Sequence, residues 1–184
     1  MNPVISRRVF LGASLTATGA LMVSALARAD GDATPAARRL RLYNTHTSEA
    51  RDITYFEQGV YYPEALTEID FLLRDFRANA AMPMARGVID LMHDLTVALE
   101  TEGPVHIICG YRSAQTNRLL RRTGGGGVAK HSLHMDGMAI DLRVPGRRLA
   151  QVRAAAIALG RGGVGYYGRE NFVHIDTGRV RHWG

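Results

Sequence analysis

From Arg39 to Thr45 the chain alternates, with Leu40 and Leu42 on one face, which predicts a half-buried strand. Asp52 to Phe56 predicts a second strand, paired with the first across a Thr-His-Thr-Ser-Glu turn region. The period then lengthens. Leu66, Ile69, Leu72, Leu73 and Phe76 recur at helical spacing behind Pro63, a residue suited to a helix start, so a helix is expected through about Phe76. Val88, Leu91, Met92, Leu95 and Leu99 predict a second helix from Met84 to Glu100. Val105 to Cys109 is a short apolar run and predicts a buried strand, with Cys109 on the core side beside Val105 and Ile107 by alternation. Ser113 is a good N-cap for a helix over Gln115 to Arg122. After the glycine run from Gly124 to Gly127, a strand is expected from Ala139 to Val144 and a helix from Arg147 to Leu159. Strands follow at Val164 to Tyr167 and Phe172 to Asp176. Strands and helices mix without regular alternation, so the expected class is α+β, a small antiparallel sheet with flanking helices.

Residues 1–29 stand apart from this pattern. Ser6-Arg7-Arg8-Val9-Phe10-Leu11 resembles the twin-arginine export signal; an apolar stretch to Leu26 follows, and Ala27-Arg28-Ala29 offers a small-x-small cleavage site before Asp30. The expectation is a signal peptide over 1–29, a flexible lead-in over 30–37, and one domain over 30–184. The destination is the periplasm, with no membrane span after cleavage. The signal also explains much of the charge. The formal net charge is +6, but the first 29 residues hold Arg7, Arg8 and Arg28 and no acid. The remaining basic clusters are small, which argues against a nucleic-acid binder and leaves mild attraction to an anionic polymer such as cell wall. A single cysteine excludes an intramolecular disulfide and any cysteine-rich metal site.

The chemistry concentrates in Lys130 to Asp141. In the strand that follows Gly137, Ile140, Leu142 and Val144 face one way and Asp141 and Arg143 the other. In the last strand Val173 and Ile175 face the core, while Phe172, His174 and Asp176 share the opposite face. If these strands are neighbours, Asp141 and His174 converge, and His134 from the preceding loop can complete a set of two imidazoles and one carboxylate. Catalytic zinc uses such a set, with a fourth position left for water. Neither the His-Glu-x-x-His pattern of helix-borne zinc sites nor a phosphate-binding P-loop is present. Ser132 lacks the strand–turn–helix setting of a nucleophilic serine.

Ser132-Leu133-His134-Met135-Asp136-Gly137-Met138-Ala139-Ile140-Asp141 resembles the Ser-x-His-x-x-Gly-x-Ala-x-Asp signature of the M15-type D-alanyl-D-alanine carboxypeptidase and murein endopeptidase group. Phe172-Val173-His174-Ile175-Asp176 is similar to that group's last-ligand segment, and Gly110-Tyr111-Arg112-Ser113 to its arginine motif. Leu42 to Thr47 and Gly178 to Trp183 look like the twin-arginine-exported branch, the DUF882 or YcbK-like family. The resemblance implies a hedgehog/D,D-peptidase-like fold, a zinc ion on His134, Asp141 and His174, and Arg112 binding or polarising substrate. Ser132 is a second candidate contact to substrate. The implied partner is the peptide stem of peptidoglycan and the implied reaction is hydrolysis of a cross-link by a metal-activated water. Many relatives carry an acid three residues before the last histidine ligand, where this chain has Asn171. Asp176, about 6.6 Å along the strand from His174's position, is the expected proton acceptor or else the partner that orients a ligand; Glu170 is the other carboxylate nearby. Two further readings stay open: a non-catalytic wall-binding module on the same scaffold, and a non-haem iron oxygenase using His174, Asp176 and His182. His131 and His182 are otherwise bystanders, and Trp183 packs on the last strand.

Overall fold

The computed structural model describes residues 36–123 and 128–184. The expected signal peptide, most of the lead-in and the glycine run lie outside them. In chain order the elements are β1 (Arg38–Asn44), β2 (Ala50–Glu57), β3 (Val60–Tyr61), α1 (Pro63–Leu72), α2 (Arg86–Ala98), β4 (Val105–Cys109), α3 (Ala114–Thr123), β5 (Ala139–Arg143), α4 (Leu149–Leu159), β6 (Gly163–Tyr167), β7 (Phe172–Asp176) and β8 (Arg181–Trp183). A 3-10 turn, Leu133–Asp136, precedes β5. The strands form one eight-stranded sheet in the order β3-β2-β1-β4-β5-β7-β6-β8. The α+β class stands. The sheet is larger than expected and mixed rather than purely antiparallel, because β1 pairs β4 and β6 pairs β8 in parallel. No helix among the described residues is long and apolar enough to cross a membrane.

Alternation decides which side of the sheet each residue takes. Leu40, Leu42, Ile107, Ile140, Leu142, Val173 and Ile175 are buried in one core, which α1, α2 and α4 cover with Ile69, Leu72, Val88, Met92, Leu95, Val152 and Ala156. The β1–β2 hairpin turns on Asn44, whose side-chain oxygen accepts the His46 and Thr47 N–H groups while its amide donates to the Leu72 carbonyl.

Helix α1 ends four residues before Phe76. Asp75, buried, accepts the backbone N–H groups of Arg77, Ala78 and Ser113 and so draws the chain into a turn rather than a further helical turn. Phe76 leaves the core and stacks on His46, with ring centroids 4.0 Å apart. Strands β3 and β8 have two and three residues, too short for alternation to reveal.

A polar cluster ties α2 to the sheet. Tyr55 and Tyr61 each donate a hydroxyl to Asp90, at 2.9 and 2.6 Å, and Arg38 lies 2.6 Å from the same carboxylate. Burial pushes the Asp90 carboxyl up, but the hydrogen bonds from Tyr61, Arg38 and Tyr55 outweigh it and hold the group below its ordinary value. A depressed folded-state pKa contributes stability above the unfolded value of about 3.9, which is lost as pH falls through the folded value. Asp90→Asn is therefore expected to cost about 1–3 kcal/mol at pH 7. The gap to wild type should narrow below about pH 4, as denaturant titrations at pH 7 and pH 3 would read.

Candidate metal centre

The face of the sheet opposite the core carries the site. Asp141 on β5 stands directly across from His174 on β7, and His174 stands in turn across from Gly165 on β6. Directly opposed residues point to the same face, so the alternation read from the sequence places Asp141 and His174 side by side. Gly137, with φ of 65°, occupies the left-handed region and closes the 3-10 turn that brings in His134. The bend expected at this glycine is present, and a Cβ there would crowd the Pro83 carbonyl.

The three donors meet closely. His134 Nε2 lies 3.2 Å from both Asp141 Oδ1 and His174 Nδ1, and His174 Nδ1 lies 2.8 Å from Asp141 Oδ1. Outer partners fix which nitrogen each ring presents. His134 Nδ1 is 2.8 Å from the Gly110 carbonyl, which can only accept, so Nδ1 carries a proton and donates it. His174 Nε2 donates to Asp176 Oδ2 at 2.9 Å. His134 Nε2 and His174 Nδ1 are left facing each other and Asp141, an arrangement that needs a shared proton or a cation between them. Donor atoms on a tetrahedron with bonds of about 2.0–2.1 Å stand ~3.3–3.4 Å apart, close to the separations found here. The donor set therefore fits a small divalent cation such as zinc. Burial disfavours charge on His134, but the Asp141 carboxylate and Cys109 outweigh it and push its pKa up to about 10. Burial works against ionisation of Asp141 as well, and His134 and His174 overcome it, holding the carboxyl well below its usual range.

Asp176 is wholly buried. Besides His174 it accepts Gly163 N at 3.0 Å, Gly178 N at 2.8 Å, and both terminal nitrogens of Arg181 at 3.0 and 2.7 Å. These bonds defeat the effect of burial and keep it ionised far below its ordinary pKa. Arg112 sits with Nη2 3.4 Å from Asp141 Oδ2 and 3.5 Å from Cys109 Sγ, its backbone N–H donating to the His134 carbonyl. Its buried Nε has no partner among the described residues.

Cys109 departs from the sequence expectation. The β4–β5 register shifts between Ile107 and Cys109, so that Cys109 rather than Ile108 opposes Asp141. This bulge turns the thiol from the core to the site face. Its sulfur, a nitrogen of His134 and an oxygen of Asp141 lie within 4.8 Å of one another. Alternation alone could not have shown this, because the bulge has no marker in the Val-His-Ile-Ile-Cys run.

These groups open into a cleft of about 660 Å³ that Ser132, His131 and Glu170 also line. Trp183 forms one wall, its ring 5.3 Å from that of His174 and its Nε1 donating to the Tyr167 hydroxyl at 3.1 Å. Trp183 lies against Gly165, where a Cβ would strike its ring. Asn171 does not line the cleft. With φ of 57° it makes the left-handed turn between β6 and β7, a conformation asparagine tolerates. His182 is exposed and stands outside the cleft, so the three groups of the iron-oxygenase reading do not converge.

A family profile described as peptidoglycan L,D-endopeptidase MepK matches residues 32–183. The chain belongs to this family. Two of its members show the extent of the likeness. The Escherichia coli K12 peptidoglycan L,D-endopeptidase MepK is 44% identical over 150 residues, covering 82% of each chain. The probable peptidoglycan L,D-endopeptidase MepK of Haemophilus influenzae is 39% identical over 151 residues, covering 82% of this chain and 81% of its own. No solved structure matches the chain significantly. The MepK profile spans every element that builds the cleft, from β1 to Trp183.

Proposed function

We propose that this protein is an exported zinc-dependent murein endopeptidase that hydrolyses an L,D peptide cross-link of peptidoglycan. One observation carries the reading: two imidazoles, each fixed by an outer acceptor, aim their remaining nitrogens at one carboxylate oxygen. Membership in the MepK family supplies the substrate class. His134, Asp141 and His174 would hold the ion, which when bound supplies Lewis acidity towards an amide carbonyl and acidifies water.

The chain's own groups divide the remaining work. The Gly110 carbonyl and Asp176 hold the two imidazoles in the ligating tautomer. Arg112 steadies Asp141 through Nη2 and presents the cation that would meet negative charge developing on the scissile carbonyl oxygen. Ser132 is placed in the cleft wall to contact the peptide. Asp176 already accepts hydrogen bonds on both oxygens, so it takes the orienting role of the two the sequence offers it. Glu170, exposed and in the cleft wall, is the carboxylate free to receive a proton.

Among the bonds open to such an enzyme, the direct diaminopimelate–diaminopimelate cross-link joins an L-centre carbonyl to a D-centre amine, and it is the proposed substrate. The test is mass spectrometry of muropeptides after incubating purified peptidoglycan with the zinc-loaded protein. Directly cross-linked dimers should disappear in favour of monomers, and a chelator should arrest the change. Dimers that bind but persist under zinc-replete conditions would select the non-catalytic wall-binding module instead. The twin-arginine segment is proposed to deliver the protein to the periplasm.

A further inference from the structure

Among the described residues three arginines line the cleft, and two of them pair with buried carboxylates. Arg112 is held against Asp141 and Cys109. Arg181 forks onto Asp176. Arg77 forms no ion pair with any acidic group among the described residues, although it lies in the same cleft wall.

Its position is nevertheless fixed. The Arg77 backbone N–H donates to the buried Asp75 carboxylate at 3.0 Å. Its guanidinium carbon lies 4.3 Å from the centroid of the Phe76 ring, and the His46 ring stacks on Phe76 at 4.0 Å with an interplanar angle of 16°. Two flat groups cannot share one ring face at those distances, so Phe76 is sandwiched between them. Burial and the nearby Arg77 charge both lower the His46 pKa, so at neutral pH Arg77 is the cation of the pair. Stacking leaves the guanidinium edge, with its forked N–H donors, free for a planar anion.

We propose that Arg77 is a receptor for a substrate carboxylate, the free carboxylate of a diaminopimelate residue beside the bond to be cut. The proposal rests on the endopeptidase reading above. It assigns to Arg77 a contact apart from the reacting carbonyl, since Arg112 is turned to the metal centre beside Asp141 and Arg181 forks onto Asp176. Arg77 is thus a binding group apart from the metal centre, and its loss should weaken substrate capture without altering the chemical step.

The experiment compares two soluble cross-linked muropeptides, one with free diaminopimelate carboxylates and one with those carboxylates amidated. Arg77→Ala should raise KM for the free acid roughly ten- to hundredfold, the scale of a lost charge-assisted fork, with kcat close to wild type. KM for the amidated substrate should not change. Arg77→Lys, which keeps the charge and loses the fork, should recover part of the affinity. Zinc content and the thermal transition of both variants should match wild type, which separates a binding defect from misfolding. An equal rise in KM for both substrates, or no rise for either, would overturn the assignment. If wild type cleaves neither substrate, the endopeptidase reading fails first. Calorimetric titration of the same two muropeptides then decides on Arg77 alone. An affinity loss in Arg77→Ala confined to the free acid upholds it, and equal affinities overturn it.

Discussion

His134→Ala should leave a folded protein that holds no stoichiometric zinc and cleaves cross-linked muropeptides at least roughly 10²–10³-fold more slowly, the loss seen when a centre's main electrostatic group is removed. The fold should survive because His134 stands on a short turn outside the hydrophobic core. Metal analysis beside circular dichroism checks both halves, with His182→Ala, an exposed histidine outside the cleft, as the control that keeps zinc and rate. The same residue sets a pH dependence. With its pKa pushed up to about 10 in the metal-free protein, His134 is protonated at neutral pH, and a cation must displace that proton. Zinc affinity should therefore rise with pH below that value, by about tenfold per unit for each proton released. Titration calorimetry in buffers of different ionisation enthalpy counts the protons. Full zinc occupancy and unchanged turnover in His134→Ala would remove this histidine from the centre.

Asp176→Ala should be the most destabilising single change near the site. It would strand the Arg181 guanidinium, two backbone N–H groups and His174 Nε2 around a wholly buried gap. Arg181 is a third exposed and can hydrate, but the buried donors left without an acceptor cost about 1–3 kcal/mol, which a denaturant titration would show. Asp176→Asn, nearly isosteric, separates the carboxylate's two candidate roles. An orienting carboxylate gives a variant with zinc affinity weakened about 10–100-fold and a rate largely recovered by added zinc. A proton acceptor gives a variant that stays slow however much zinc is supplied. The structure leads us to expect the first for Asp176→Asn and the second for Glu170→Gln.

Much of the centre was legible because strands announce their faces. Period-two alternation put Asp141 and His174 on one side of their strands, and the register Asp141↔His174 only had to make those strands neighbours. Gly137 marked the bend before them. What escaped the sequence depended on features with no local signature. Phe76 continues the apolar period of α1, but the buried Asp75 carboxylate takes over the backbone donors that a further helical turn would need. The pairing of Arg181 with Asp176 depends on β8, a three-residue strand laid parallel to β6, which only the assembled sheet defines. The use of Asn171 as a left-handed turn residue shows the same limit: its position relative to His174 suggested a catalytic place, and its backbone conformation assigns it a corner.

The bulge in β4 divides that strand into two phases. Before it, Val105 and Ile107 are in step with the hydrophobic layer; after it, Cys109 and the Gly110 carbonyl are in step with the histidine cluster. The extra residue acts as a clutch between two gear trains. A one-residue deletion at Ile108 would restore the regular ladder with Cys109 still opposite Asp141 and on the site face, and would remove only the local kink that the extra residue puts into the strand. The face that the end of this five-residue strand presents is thus set by its pairing with Asp141, not by its own alternation from Val105.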